Sequence, residues 1–198
     1  MITLIDYKAG NLTSVRKAFT FLGEECVVTE DPALVRDAQA LVLPGVGHFC
    51  TTERLATSGV RDAVLEAISR GVPFLGICVG MQVLFESSDE FGGDAGLGIF
   101  AGHVRRFAGA PRVPHMGWND LTIVGEHPFV AGLRGGEFAY FLHSYRVADS
   151  DATVASADYG GRFAAIVARD NVMATQFHPE KSQRTGAVLL DNFLALAA

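Results

Sequence analysis

Hydrophobic and polar positions along the first half of the chain follow two alternating rhythms. Short apolar runs at Thr3 to Ile5, Cys26 to Thr29, Ala40 to Leu43 and Pro73 to Ile77 predict strands. Helical spacing fills the gaps between them. Leu12, Val15, Phe19 and Leu22 recur on one helical face after Asn11, a capping residue, and before the terminating Gly23. Asp31-Pro32 has the cap-then-proline order of a helix start, and Val60 to Ser69 reads as a second long helix ended by Gly71. Strands alternating with helices at this spacing need crossover connections. The expected fold class is therefore α/β, an open, mostly parallel twisted sheet with helices on both faces.

Beyond about Gly92 the rhythm changes. Phe138 to Leu142, Ala164 to Ala168 and Val172 to Phe177 are short β-rich runs separated by glycine, Asp and Asn turns, so additional antiparallel strands are expected in the C-terminal half. Gln183 to Leu196 closes the chain as an amphipathic helix with Val188, Leu189, Phe193 and Leu196 on its apolar face. No repeat, linker or low-complexity tract marks a boundary, and residues 1–198 read as a single domain.

Composition narrows the function classes. With 198 residues, 49% of them hydrophobic and 19% charged, the chain can bury a substantial core, which excludes disorder for most of it. A formal net charge of −6 provides no summed positive field for nucleic acid or an anionic membrane and leaves room for a basic patch only locally, as around Arg105 and Arg106. The N-terminus lacks the basic region and long apolar stretch of a secretion signal, and the uncharged run Gly71 to Phe85 is shorter than the ~20 residues that span a bilayer. A cytoplasmic location is expected. Three cysteines without a CxxC pair indicate neither a disulfide framework nor a thiolate zinc site, and His48, His103 and His127 lack metal-ligand spacing, so no metal or cofactor is expected.

The strongest chemical signal is Gly76-Ile77-Cys78-Val79-Gly80-Met81-Gln82, where a buried strand turns into a helix running towards Phe85. This is a G-x-nucleophile-x-G elbow with cysteine in the nucleophile position. Glycines at 76 and 80 remove side chains that would collide in so tight a turn. A sulfur at a helix N-terminus is favoured as thiolate, and the N–H of Val79 points to where a carbonyl oxygen would gain negative charge after attack. Cys26 and Cys50 have no such setting and read as small hydrophobes.

A thiol nucleophile requires a base. His178 follows the apolar run Val172 to Thr175 in Gln176-Phe177-His178-Pro179-Glu180, and in an extended segment residues two apart share a face, so Glu180 can orient the imidazole. Leu43-Pro44-Gly45-Val46-Gly47-His48-Phe49 follows the third strand; it reads either as a second oxyanion donor at the adjacent strand end or as a glycine turn without function. Ser144, in His143-Ser144-Tyr145, has no elbow and is expected to be cavity wall. Pro114 to Asn119 is expected to be a loop whose Trp118 serves either an interface or the core.

These residues resemble the class I, triad-type glutamine amidotransferases, and within them the glutaminase subunits of imidazole glycerol phosphate synthase. Asp6-Tyr7 with Gly10-Asn11, the Pro44 to Phe49 segment, the Gly76 to Gln82 elbow, Pro114 to Asn119, His143 to Tyr145 and Gln176 to Ser182 match those motifs in order across nearly the whole chain. The resemblance implies hydrolysis of L-glutamine to glutamate and ammonia through a Cys78-His178-Glu180 triad and a glutamyl thioester. It implies oxyanion donors at Val79 and in the Val46-Gly47 stretch, and glutamine contacts at Gln82, Glu90, His143, Ser144 and Tyr145. It also implies a cyclase partner of (β/α)8-barrel fold in a 1:1 heterodimer, with Trp118, Asn119 and Lys181 towards the interface. Lys8 departs from the family's commoner glycine, and Val79 from its commoner leucine. The glutaminase of pyridoxal phosphate synthase fits less well, for want of a Gly-Gly-Glu motif after the early strands. A cysteine peptidase or esterase of the same architecture and a non-catalytic binding module are the alternatives from other classes.

Overall fold

The computed structural model describes every residue except 9, 10, 46, 50 and 91–94, and only the backbone of Thr51 and Thr52. In chain order the first half runs β1 (Ile2–Ile5), α1 (Leu12–Phe21), β2 (Cys26–Thr29), α2 (Pro32–Arg36), β3 (Leu41–Gly45), α3 (Thr51–Thr57), α4 (Val60–Ser69), β4 (Phe74–Cys78) and the single turn α5 (Val79–Gln82). The second half runs β5 (Phe85–Ser88), β6 (Phe100–Arg106), β7 (His115–Asp120), β8 (Thr122–Ile123), β9 (Phe138–His143), β10 (Tyr145–Arg146), β11 (Thr153–Asp158), β12 (Arg162–Arg169), β13 (Val172–Thr175) and α6 (Gln183–Leu196).

The main sheet has eight strands in the order β2-β1-β3-β4-β13-β12-β11-β8. The five from β2 to β13 are mutually parallel, and β12, β11 and β8 continue the sheet antiparallel. Central β3 and β4 are buried along their whole length, as continuous apolar runs covered on both faces must be. The step from β1 to β2 goes one way along the sheet and the later steps go the other. Right-handed crossovers therefore carry α1 to one face and α2 to α4 to the opposite one. α6 joins α1, where Phe19 and Phe193 meet at 6.2 Å between ring centroids.

Local signals account for several boundaries. The Asn11 side chain accepts from Ser14 N at 3.3 Å, Asp31 accepts from Ala33 N at 2.8 Å, and Gly23 and Gly71 take positive φ after their helices. Lys8 also sits at φ +61, the left-handed region in which glycine is unstrained, and its ammonium pairs with Asp6 and Glu30. Three expectations are corrected. Pro114 to Asn119 is not a loop: it forms most of β7, paired antiparallel with β9 in a ribbon whose inward residues reach the core. The elbow helix stops after one turn, because Leu97 N and Ile99 N bond the Val83 and Leu84 carbonyls and draw the chain into β5. On α6 the core face carries Leu189, Leu190 and Phe193, while Leu196 is exposed beyond the edge of the packed surface.

Candidate active site

Register brings the chemistry together. Gly45 pairs with Cys78 and Thr175 with Ile77, so the carboxyl ends of β3, β4 and β13 lie side by side. Cys78 leaves β4 at φ +56, a conformation that costs about 1–2 kcal/mol for a non-glycine residue and is held by the surrounding chain. The neighbouring glycines explain how. A Cβ on Gly80 would run into the Leu43 carbonyl, and one on Gly76 would meet the Gly80 carbonyl at 2.5 Å. Gly45 gives way in the same manner to Val79, whose Cβ a side chain at 45 would meet at 2.6 Å. The N–H of Val79, first in α5, has no intrahelical acceptor.

His178 and Glu180 are joined as expected: Nδ1 lies 3.0 Å from Glu180 Oε1, with both side chains almost wholly buried. The backbone route differs from the expected extension, since Pro179 to Lys181 forms a 3-10 turn that still presents Glu180 to the ring. Because a carboxylate only accepts, Nδ1 carries the hydrogen and Nε2 is left towards Cys78. Nε2 makes no hydrogen bond of regular geometry among the described residues. Burial works against an imidazolium here, but the sulfur of Cys78 and the carboxylate of Glu180 outweigh it and raise the His178 pKa to about 10.

Two residues given no individual role in the sequence reading hold this arrangement. Ser182 Oγ donates to the His178 carbonyl at 2.7 Å and accepts from Tyr140 N at 3.0 Å, while His178 N bonds Tyr140 O at 3.0 Å. The histidine's backbone is thus stitched to β9. Gln176, fully buried, approaches the Cys78 sulfur with Nε2 at 3.8 Å and accepts from Gln82 Nε2 at 3.1 Å. Their signal was present only as neighbours of His178 in one motif. Helix α6 presses on the same turn through Gly186, where a Cβ would collide with the Pro179 carbonyl.

Cys78 opens into a cavity of about 490 Å³ whose lining includes Gly47, Val79, Gln82, Glu90, Ser144 and Tyr145. Gly47, at φ +129, is in the wall; Val46 lies outside the described residues, as does Cys50. The Glu90 carboxylate accepts from Phe49 N at 2.7 Å and meets His48 Nδ1 at 3.1 Å, so it fixes the loop after β3 as well as facing the cavity. Gln82 Nε2 also donates to the Tyr145 carbonyl at 3.1 Å. His143 Nδ1 donates to that carbonyl at 2.8 Å, which leaves His143 Nε2 to accept from His115 Nδ1 at 3.1 Å. Burial pushes His143 down to about 3, against the pull of the Tyr145 carbonyl, and His115 down to about 4. Both rings are neutral members of an aromatic cluster with Phe107, Phe141 and Phe163.

The outer face of the β7–β9 ribbon rises beside this cavity, since Leu142 and Pro114 belong to the cavity wall. Met116, Trp118 and Phe138 are 65%, 47% and 57% exposed on it. Trp118 is thus a surface residue, edge-on to Tyr140, whose ring in turn carries the Lys181 ammonium 5.9 Å from its centroid. Asn119 is held differently, donating to the Asp158 carbonyl at 2.8 Å and tying the ribbon to the end of β11. Cys26, on the edge strand β2, is partly buried, and burial raises its thiol pKa. Among the described residues no His, Cys, Asp or Glu group could hold a metal ion, and no helix is long and apolar enough to cross a membrane.

Residues 3–197 match the family model described as glutamine amidotransferase class-I. The chain is 51% identical to imidazole glycerol phosphate synthase subunit HisH of Syntrophotalea carbinolica, covering 98% of each chain. It is 47% identical to the HisH subunit of Salinibacter ruber, covering 99% of this chain and 94% of that one. Among solved structures, a crystal structure titled glutamine amidotransferase superposes with a TM-score of 0.78 at 21% identity, covering 100% of this chain and 99% of that one.

Proposed function

The chain belongs to the class-I glutamine amidotransferases, in the family of imidazole glycerol phosphate synthase HisH subunits, and from that premise we propose how its residues divide the work. It hydrolyses L-glutamine to L-glutamate and ammonia for histidine biosynthesis. Cys78 passes its proton to Nε2 of His178 and its sulfur attacks the side-chain amide carbon, giving a tetrahedral adduct whose oxyanion takes the Val79 N–H and a second donor from the Val46-Gly47 stretch. Collapse breaks the C–N bond, His178 protonates the leaving nitrogen, and ammonia departs from a glutamyl thioester. His178 then removes a proton from water, which attacks the thioester; collapse returns the thiol and releases glutamate. Glu180 keeps Nδ1 protonated and the ring aligned through both halves. Gln82, Glu90, His143, Ser144 and Tyr145 form the glutamine pocket.

The observation that carries this assignment is the buried Glu180-His178 pair set towards a cysteine held at φ +56 on the wall of one cavity. All of residues 1–198 act as one glutaminase unit in this reading. Ammonia passes to a cyclase subunit of (β/α)8-barrel fold bound 1:1. The exposed apolar ribbon face with Trp118, flanked by Lys181 and with Asn119 anchoring its base, is the docking surface. The test is glutamate release with and without the cyclase subunit and its substrate. Cys78→Ala is expected to abolish release, and release persisting in that variant refutes the reading. A 1:1 shift in sizing chromatography, weakened by Trp118→Ala, checks the surface.

A further inference from the structure

The chain carries a formal net charge of −6, yet four arginines, Arg105, Arg106, Arg146 and Arg162, line a second cavity of about 480 Å³. Successive residues of a strand point to opposite faces, so Tyr145 walls the catalytic cavity while Arg146 turns away from it into this one. The acid among its described lining residues is Asp149, and that carboxylate is already engaged. It accepts from Ser156 Oγ at 2.8 and 2.9 Å and from Arg162 Nε. His103, also in the wall, is held between Asp89 Oδ1 and Ser87 Oγ, each 2.6 Å from one ring nitrogen. No lining carboxylate is left for the other guanidinium groups.

Two of these groups are forced together by the backbone. Arg105 of β6 and Arg146 of β10 are direct partners in antiparallel register, which puts both side chains on one face, where like charges repel. Arg146 is held rigidly there. Its Nη1 donates to the Gly161 and Arg162 carbonyls at 2.8 and 2.7 Å, and its guanidinium lies 5.1 Å from the Phe107 ring centroid. Gly161, at φ +119, permits this approach, since a Cβ there would meet Arg146 Nη2 at 3.1 Å. Nε and Nη2 of Arg146 have no hydrogen-bond acceptor among the described residues, and Arg162 gives only Nε to Asp149. Arg105 makes no hydrogen bond or ion pair to any described residue.

We propose that this cavity is an anion site that takes the phosphate group of a small phosphorylated metabolite, with Arg105 and Arg146 as the anchoring pair and Arg162 beside them. A phosphate bridging the pair turns their repulsion into attraction, and each planar fork matches two of its oxygens. The cavity has the volume of a small-molecule site. The site is separate from the catalytic cavity and does not depend on the glutaminase reading.

Isothermal titration of sodium pyrophosphate and of inorganic phosphate into the full chain, at an ionic strength fixed with sodium chloride, tests this. Saturable one-to-one binding of either anion is expected, weakened at least about 10-fold in Arg105→Gln and less in Arg105→Lys, which keeps the charge but loses the fork. Without phosphate, Arg105→Gln is expected to unfold at or above the wild-type temperature, because it relieves the repulsion with Arg146; pyrophosphate should then raise the unfolding temperature of the wild type more than that of the variant. Absence of saturable heat up to about 10 mM of either anion overturns the proposal, as does equal affinity in wild type and Arg105→Gln. Binding of heparin without binding of pyrophosphate also overturns it, by showing a surface for polymeric anions.

Discussion

Replacing Glu180 by glutamine isolates what the buried carboxylate does for His178. The carboxamide oxygen can still accept from Nδ1 at the observed 3.0 Å, so the ring keeps an acceptor and loses only the charge beside it. A hydrogen bond to a charged group contributes about 1.5–3 kcal/mol, and one between neutral groups about 0.5–1.5 kcal/mol. The imidazolium thus loses about 1–2 kcal/mol, or roughly one pKa unit. The imidazolium has to persist through attack and then protonate the leaving nitrogen, so the same loss lowers kcat/KM about 5- to 30-fold. KM stays near its wild-type value, because Glu180 does not touch substrate. The diagnostic readout is the pH profile of glutamate release in the presence of the partner. Its alkaline limb, set by an imidazolium whose pKa is about 10, is expected to move down by about one unit in Glu180→Gln. A limb that stays in place while activity falls would show that the variant damages the fold rather than the charge. Unchanged activity and an unchanged limb would refute a positioning role for Glu180.

Other outcomes follow from the same geometry. Gly80→Ala sets a Cβ against the Leu43 carbonyl, backbone against backbone, so the elbow must move; at least a 100-fold loss of glutamate release is expected, a loss on the scale of a removed oxyanion donor, and retained activity would contradict the strained-turn account. His115 and His143 stay neutral when folded but bind protons when unfolded, so stability is complete above pH 6.5 and falls as pH drops towards their folded values of about 4 and 3. Denaturant titrations at pH 6.5 and pH 5 should differ by about 1.6 kcal/mol for each histidine, and His115→Phe should remove part of that slope. Between the two cysteines of described surroundings, Cys78 is expected to react with iodoacetamide well before Cys26 near neutral pH, and equal labelling in a peptide map would remove the argument for activation.

Much of the α/β frame was legible in the sequence because it rests on local signals. Asn11, Asp31, Gly23 and Gly71 mark helix ends through hydrogen bonds and backbone conformations confined to a few neighbouring residues, and the apolar runs of β3 and β4 reflect burial on both faces. The elbow was legible for the same reason, since its two glycines answer collisions that arise within one turn of chain. Pro114 to Asn119 is not legible as a strand because β7 is held by a partner 18 to 28 residues further along the chain, and its outward Met116 and Trp118 hide the usual alternation of apolar-in and polar-out.

Sequence alone therefore determined which groups are chemically capable, cysteine in an elbow and histidine two residues from a carboxylate, and which segments are strands or helices by short-range periodicity. Tertiary structure alone decided that β13 lies beside β4 and carries His178 towards Cys78 across the intervening hundred residues. It also decided that Ser182 and Gln176 converge on that point. Pairing between distant strands is set by the burial of whole faces and by crossover handedness, quantities that belong to the assembled sheet and to no single segment of the chain.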